Sequence, residues 1–144
     1  MKKCSDIMTK DLVTCTPENT IVEVARLMKT EDIGPVLIVD NEQSKTLVGI
    51  VTDRDIVVKA IADGQDVNTT RVGDVMSKKL VTCRADDDVD VAMKAMAQFQ
   101  LRRIPVVEEN MRLVGIIAQA DVATRMDAPQ RTAEVVKEIS EENT

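Results

Sequence analysis

Short apolar runs alternate along this chain with longer stretches whose apolar residues recur at helical spacing, and the alternation passes through one order twice. Residues 13–16 form the first short strand-like run. Thr20-Ile21-Val22-Glu23 then matches the S/T-x-x-E pattern of a capping box, which predicts a helix with Val24, Leu27 and Met28 as its apolar stripe. Pro35 precedes the apolar run 36–39, short enough for a buried strand. A polar turn at 40–45 leads into 46–51, the partner strand of a predicted hairpin. A second helix is expected over 53–62, with Ile56, Val57, Ala60 and Ile61 apolar and Gly64 suited to its end. The second half predicts a strand at 80–83, a helix at 89–98, strands at 104–107 and 112–117, and a helix from Gln119.

The repetition extends to the residues themselves. DIMTKDLVTC from Asp6 returns as DVMSKKLVTC from Asp74, and LVGIVTDRD ending at Asp55 returns as LVGIIAQAD ending at Asp121. Two β-α-β-β-α repeats are therefore predicted, at 1–64 and 72–128, with a polar linker at 65–71. A tail follows at 129–144, in which Ala133, Val135, Val136 and Ile139 keep helical spacing. A repeat of about 60 residues lies near the lower limit for burying its own core, so the halves are expected to complete each other.

Composition narrows the chemistry. The 144 residues suit one domain, no apolar run is long enough to span a bilayer, and Met1-Lys2-Lys3 leads into no signal-type segment. No membrane partner is expected. Three cysteines without a CxxC pair point to a reducing, cytoplasmic setting. Cys15 and Cys83 are repeat equivalents expected to pack as small apolar residues, and Cys4 is expected near a mobile terminus. The absence of histidine removes imidazole acid–base chemistry and histidine metal sites. No nucleophile–base pair or metal-ligand set is apparent, so neither catalytic nor metal residues are expected. One aromatic residue, Phe99, and a net charge of -6 disfavour nucleic acid as a partner, and Lys78-Lys79 reads as a solvated turn.

The sharpest local pattern is the strand-to-helix junction from Gly49 to Asp55. Thr52-x-x-Asp55 is a capping box in its own right. The same geometry also presents free helix N–H groups, a hydroxyl and a carboxylate, a set suited to a ribose diol with an anion nearby. The second copy keeps Asp121 and replaces the hydroxyl with Ala118. Arg102-Arg103 precedes a predicted buried strand; the pair is either a solvated turn or a fork of donors matched to phosphate.

The doubled order of these motifs closely resembles the CBS-domain family, the tandem modules first described in cystathionine β-synthase. The resemblance covers about residues 4–126. It implies an α/β fold in which tandem β-α-β-β-α repeats pack as a pseudo-twofold CBS-domain pair with two equivalent clefts. It further implies a regulatory module that binds AMP, ADP, ATP or a similar adenosyl ligand, with or without magnesium, and signals to a protein effector. No cofactor is required, and a homodimer is expected. The first cleft would use Ile50, Thr52, Arg54 and Asp55, with Leu80, Val81 and Cys83 walling adenine and Arg102 and Arg103 at the phosphates. The second, weaker cleft would use Val13, Cys15, Thr20, Ala25, Gly34, Pro35 and Asp121. The alternative is a structural dimerisation or adaptor domain whose clefts stay empty. Ligand-induced stabilisation separates the two readings.

Overall fold

The computed structural model describes residues 2–125, so the tail expected at 129–144 lies outside the described residues. In chain order the elements are α1 (Cys4–Ile7), β1 (Thr14–Cys15), α2 (Ile21–Glu31), β2 (Val36–Val39), β3 (Leu47–Val51) and α3 (Asp53–Asp55). They continue with β4 (Cys83–Arg84), α4 (Val89–Gln98), β5 (Arg103–Glu108), β6 (Arg112–Ala118) and α5 (Gln119–Arg125). Two compact units result, one running from Val13 to Leu80 and the other combining residues up to Leu12 with those from Val81 onward.

In the unit from Val13 to Leu80, β1 runs parallel to β2 and β2 antiparallel to β3. The four residues of β2 are all buried, as their unbroken apolar run requires when both sheet faces are covered, and β3 alternates. The expected capping box starts α2. Thr20 Oγ1 accepts from the Glu23 N–H, and Glu23 Oε1 accepts from the Thr20 N–H at 2.8 Å. Ile21, Val24 and Met28 bury the inner face of α2, with Leu27 packed partly against them. The second expected helix is α3 running into a π-helical turn, Ile56–Ile61, and Gly64 follows with φ 71°. Gly64 is thus suited to its turn, since a side chain there would be strained.

The segment expected as a linker, 65–71, packs against the N-terminus of α2. Val67 and Thr70 carbonyls accept from the Val22 and Ile21 N–H groups, both at 3.0 Å. These bonds satisfy N–H groups that a helix start otherwise leaves open.

The other unit repeats the sheet as β4-β5-β6, with α4 buried through Val89, Ala92, Met93 and Met96. The first strands of both sheets are only two residues long, shorter than the four-residue runs at 13–16 and 80–83.

The sequence repeats and the spatial units do not share boundaries. Ser77, near the start of the second repeat, exchanges two backbone hydrogen bonds with Ile50 of β3. Thr9, near the start of the first repeat, does the same with Ile116 of β6. Each repeat's opening segment therefore adds to the sheet of the other repeat. The backbone at Gly49 and Gly115 makes room for this. A Cβ at Gly49 would lie 2.6 Å from the Met76 sulfur, and one at Gly115 would lie 2.4 Å from the Met8 sulfur.

Candidate functional site

Each unit ends its third strand in the same turn. After β3, the Thr52 N–H donates to Asp55 Oδ2 at 3.0 Å, and the Asp55 N–H donates to Thr52 Oγ1 at 3.1 Å. Asp55 Oδ1 faces outward, 3.4 Å from Lys59 Nζ. After β6, the Ala118 N–H donates to Asp121 Oδ2 at 2.9 Å. The hydroxyl missing at Ala118 is supplied differently, because Thr9 Oγ1 donates to Asp121 Oδ2 at 3.5 Å. Both turns thus hold a half-buried carboxylate at the first turn of a helix.

Sheet topology decides which expected residues gather at each turn. In the Val13–Leu80 unit, Val36 pairs with Val51, so Gly34 and Pro35 stand beside Thr52 and Asp53. Gly34 is so close that a Cβ there would touch Asp53 Oδ1 at 3.4 Å. Val13, preceding the parallel strand β1, belongs to this end of the sheet, as does Ile50 near the end of β3. Arg54 is exposed, and Leu80 is half-buried at the unit's end.

Thr20 and Ala25, expected with Asp121 in the second cleft, lie before and on α2 of the Val13–Leu80 unit. Thr20 caps α2 beyond the C-terminal end of β1, with its hydroxyl engaged by Glu23, and Ala25 is on the exposed side of α2. Thr20 sits at the other end of this sheet from the Thr52 turn, because a helix that follows a strand starts at that strand's far end. At that far end Cys15, Thr16, Asn19, Glu23 and Glu42 line a cavity of about 310 Å³. Burial, and then the charge of Glu23, push the Cys15 thiol up to about 12.

In the other unit Arg103 pairs with Ala118 across β5 and β6, and the Arg102 carbonyl accepts from the Gln119 N–H at 3.0 Å. The two exposed arginines therefore share an end of the sheet with Asp121. Reading the hairpin register outward from its turn at Asn110 would have found this neighbourhood. Thr9 was missed as well, although the hydroxyl recurring in Asp-Ile-Met-Thr and Asp-Val-Met-Ser was its signal. Among the described residues, the Gln119 side-chain nitrogen is buried there with no hydrogen-bond partner. Val81 is half-buried against the core, and Cys83, expected as an adenine wall, is 2% exposed within it. Cys83 corrects the expectation: alternation along β4 turns its side chain inward and Arg84 outward.

Residues 4–61 and 72–128 each match the CBS domain. The chain belongs to the CBS-domain family. As a CBS pair it is 40% identical over 98% of its length, and 93% of the relative's, to the uncharacterized protein YlbB of Bacillus subtilis. A crystal structure of Hypoxic Response Protein I with two coordinated zinc ions is 33% identical, with a TM-score of 0.75 over 87% of this chain and 99% of that one. The CBS domain pair of protein MJ0100, in complex with 5-methylthioadenosine and S-adenosyl-L-methionine, is 28% identical. Its TM-score is 0.69 over 86% of this chain and 94% of its own. The chain has no histidine, and no cluster of three or more metal-binding side chains occurs among the described residues.

Proposed function

We propose that this CBS pair is a non-catalytic sensor of an adenosine-containing ligand and passes its occupied state to a protein effector. The observation that carries the reading is the repeated turn in which Asp55 and Asp121 are each fixed at a helix start. A carboxylate whose Oδ2 accepts a backbone N–H keeps further acceptor lone pairs suited to a ribose diol. The complex of the MJ0100 pair with two adenosyl compounds supports the ligand class. Arg102 and Arg103, exposed beside the Asp121 turn, are suited to phosphates, with magnesium as a companion ion. Val57, Val58 and Ile61, each about half exposed on the π-helical turn, support a homodimer.

The deciding experiment is a thermal-shift panel of AMP, ADP, ATP and S-adenosylmethionine, read with an extrinsic dye because the chain lacks Trp and Tyr. A ligand at a hundredfold excess over its Kd stabilises by about 2.7 kcal/mol, well within detection. Stabilisation by at least one compound is expected. A flat panel, confirmed by calorimetry, would leave a scaffold with empty sites as the better account.

A further inference from the structure

The first residues of the chain form a strap on the unit that holds β4 to β6. The Cys4 N–H donates to the Asp87 carbonyl at 2.8 Å, and the Ser5 N–H donates to the Ala85 carbonyl at 3.0 Å. Farther along, Thr9 is bonded to Ile116 in both directions. These anchors place the Cys4 side chain, fully buried, in the same core cluster as Cys83. Ser5, next to Cys4, is thus tied to the residue two beyond Cys83, and both thiols are buried in this one cluster. Each also reaches a carbonyl oxygen at 3.8 Å, Cys4 that of Asp88 and Cys83 that of Pro105. The expectation of a mobile Cys4 is thereby overturned. Small apolar packing explains one buried cysteine in a core, but it does not call for two thiols brought together from opposite ends of the other unit's sequence.

We propose that Cys4 and Cys83 form a reversible disulfide that locks the strap onto its unit under oxidising conditions. The oxidant is a small-molecule disulfide of the glutathione class. Access comes through fraying of the strap, since α1 is only four residues long and its outer tie is the exposed ion pair of Lys3 with Asp88. Cys4 is the attacking group. The hydrogen bond from Cys83 holds its pKa below the ordinary thiol value, while that contact and burial push Cys83 up.

The Cys4 thiolate bonds to one glutathione sulfur and expels the other as thiolate. When the strap returns, Cys83 attacks the Cys4 sulfur of this mixed disulfide and releases the second glutathione. The two cysteines are oxidised, one glutathione disulfide is reduced to two thiols, and the two cysteine protons end on the released glutathione. The bond encloses every residue of the Val13–Leu80 unit, a long loop whose closure restricts the unfolded chain strongly.

The test uses the full chain, reduced and then equilibrated anaerobically in glutathione buffers of increasing oxidised fraction. Free thiols are alkylated, and the protein is mapped by peptide mass spectrometry. The expected product is a single chain lighter by two hydrogens, with the Cys4 and Cys83 peptides joined and Cys15 alkylated. It should melt at a higher temperature than the reduced form and revert with dithiothreitol. The proposal is overturned if all three cysteines remain alkylated across the series. It is equally overturned if stable glutathione adducts, interchain links or a Cys15 bridge accumulate instead. Cys4→Ser should lose the oxidation-dependent gain in melting temperature, and a variant that kept the gain would also refute the bond. Because the readout is thiol state, the result does not depend on whether any nucleotide binds.

Discussion

At Asp55 one carboxylate carries two tasks. Its Oδ2 accepts the Thr52 N–H and starts α3, while Oδ1 is turned toward Lys59 and, in the proposed function, holds a ligand hydroxyl. Replacement by Ala removes both, and the two losses differ in size. The cap contributes about 1 kcal/mol to stability. A hydrogen bond from a ligand hydroxyl to an ionised carboxylate contributes about 1.5 to 3 kcal/mol, or roughly ten- to a hundredfold in affinity. Asp55→Ala should therefore remain folded and bind adenine nucleotides at least about tenfold more weakly in calorimetry. Unchanged affinity for every nucleotide tested would remove Asp55 from the site. The role of Asp55 was legible in the sequence because a cap is a local device, written within four residues. Cys83 was not legible, since whether a strand residue points to the core or to a ligand depends on a register that a two-residue strand barely encodes.

The elements were legible wherever one pattern admits one structure. The apolar run of β2 followed by a polar turn gave a hairpin, and Thr20 with Glu23 marked the start of α2 to the residue. The π-helical turn at Ile56–Ile61 was hidden, because the same apolar spacing fits an ordinary helix over so short a span. The exchanged opening segments were hidden for a different reason. A tandem repeat can be cut at any point in its period, and sequence alone does not say which cut is compact.

The exchange has a direct test at Gly115, where a methyl group would collide with Met8 from the strap. Overpacking of this kind costs about 1 to 3 kcal/mol, so Gly115→Ala should lower the unfolding free energy by that much in a urea titration. Adding Met8→Ala makes room and should recover part of the loss, giving a non-additive double-mutant cycle. Strict additivity would mean that Met8 does not rest on Gly115.

At the scale of the whole molecule, the proposed homodimer rests on one local surface. Val57, Val58 and Ile61 are 54%, 48% and 58% exposed, three branched apolar side chains on one turn, whereas Ile56 and Ala60 of the same turn are buried. Isolated exposed apolar residues are ordinary, whereas a cluster on a single turn is the surface on which the proposed dimer would form. In a chain with net charge -6, a self-complementary apolar patch has few attractive alternatives to meeting its own copy across a twofold axis. Light scattering should then return twice the monomer mass at micromolar concentration. Val57→Asp together with Ile61→Asp should shift it to the monomer, because a buried carboxylate facing its own image is both desolvated and repelled. Both side chains are exposed within one chain, so the circular dichroism spectrum should hardly change. If the double variant stayed dimeric, the patch would not be the contact, and a parent already monomeric would refute the assembly itself.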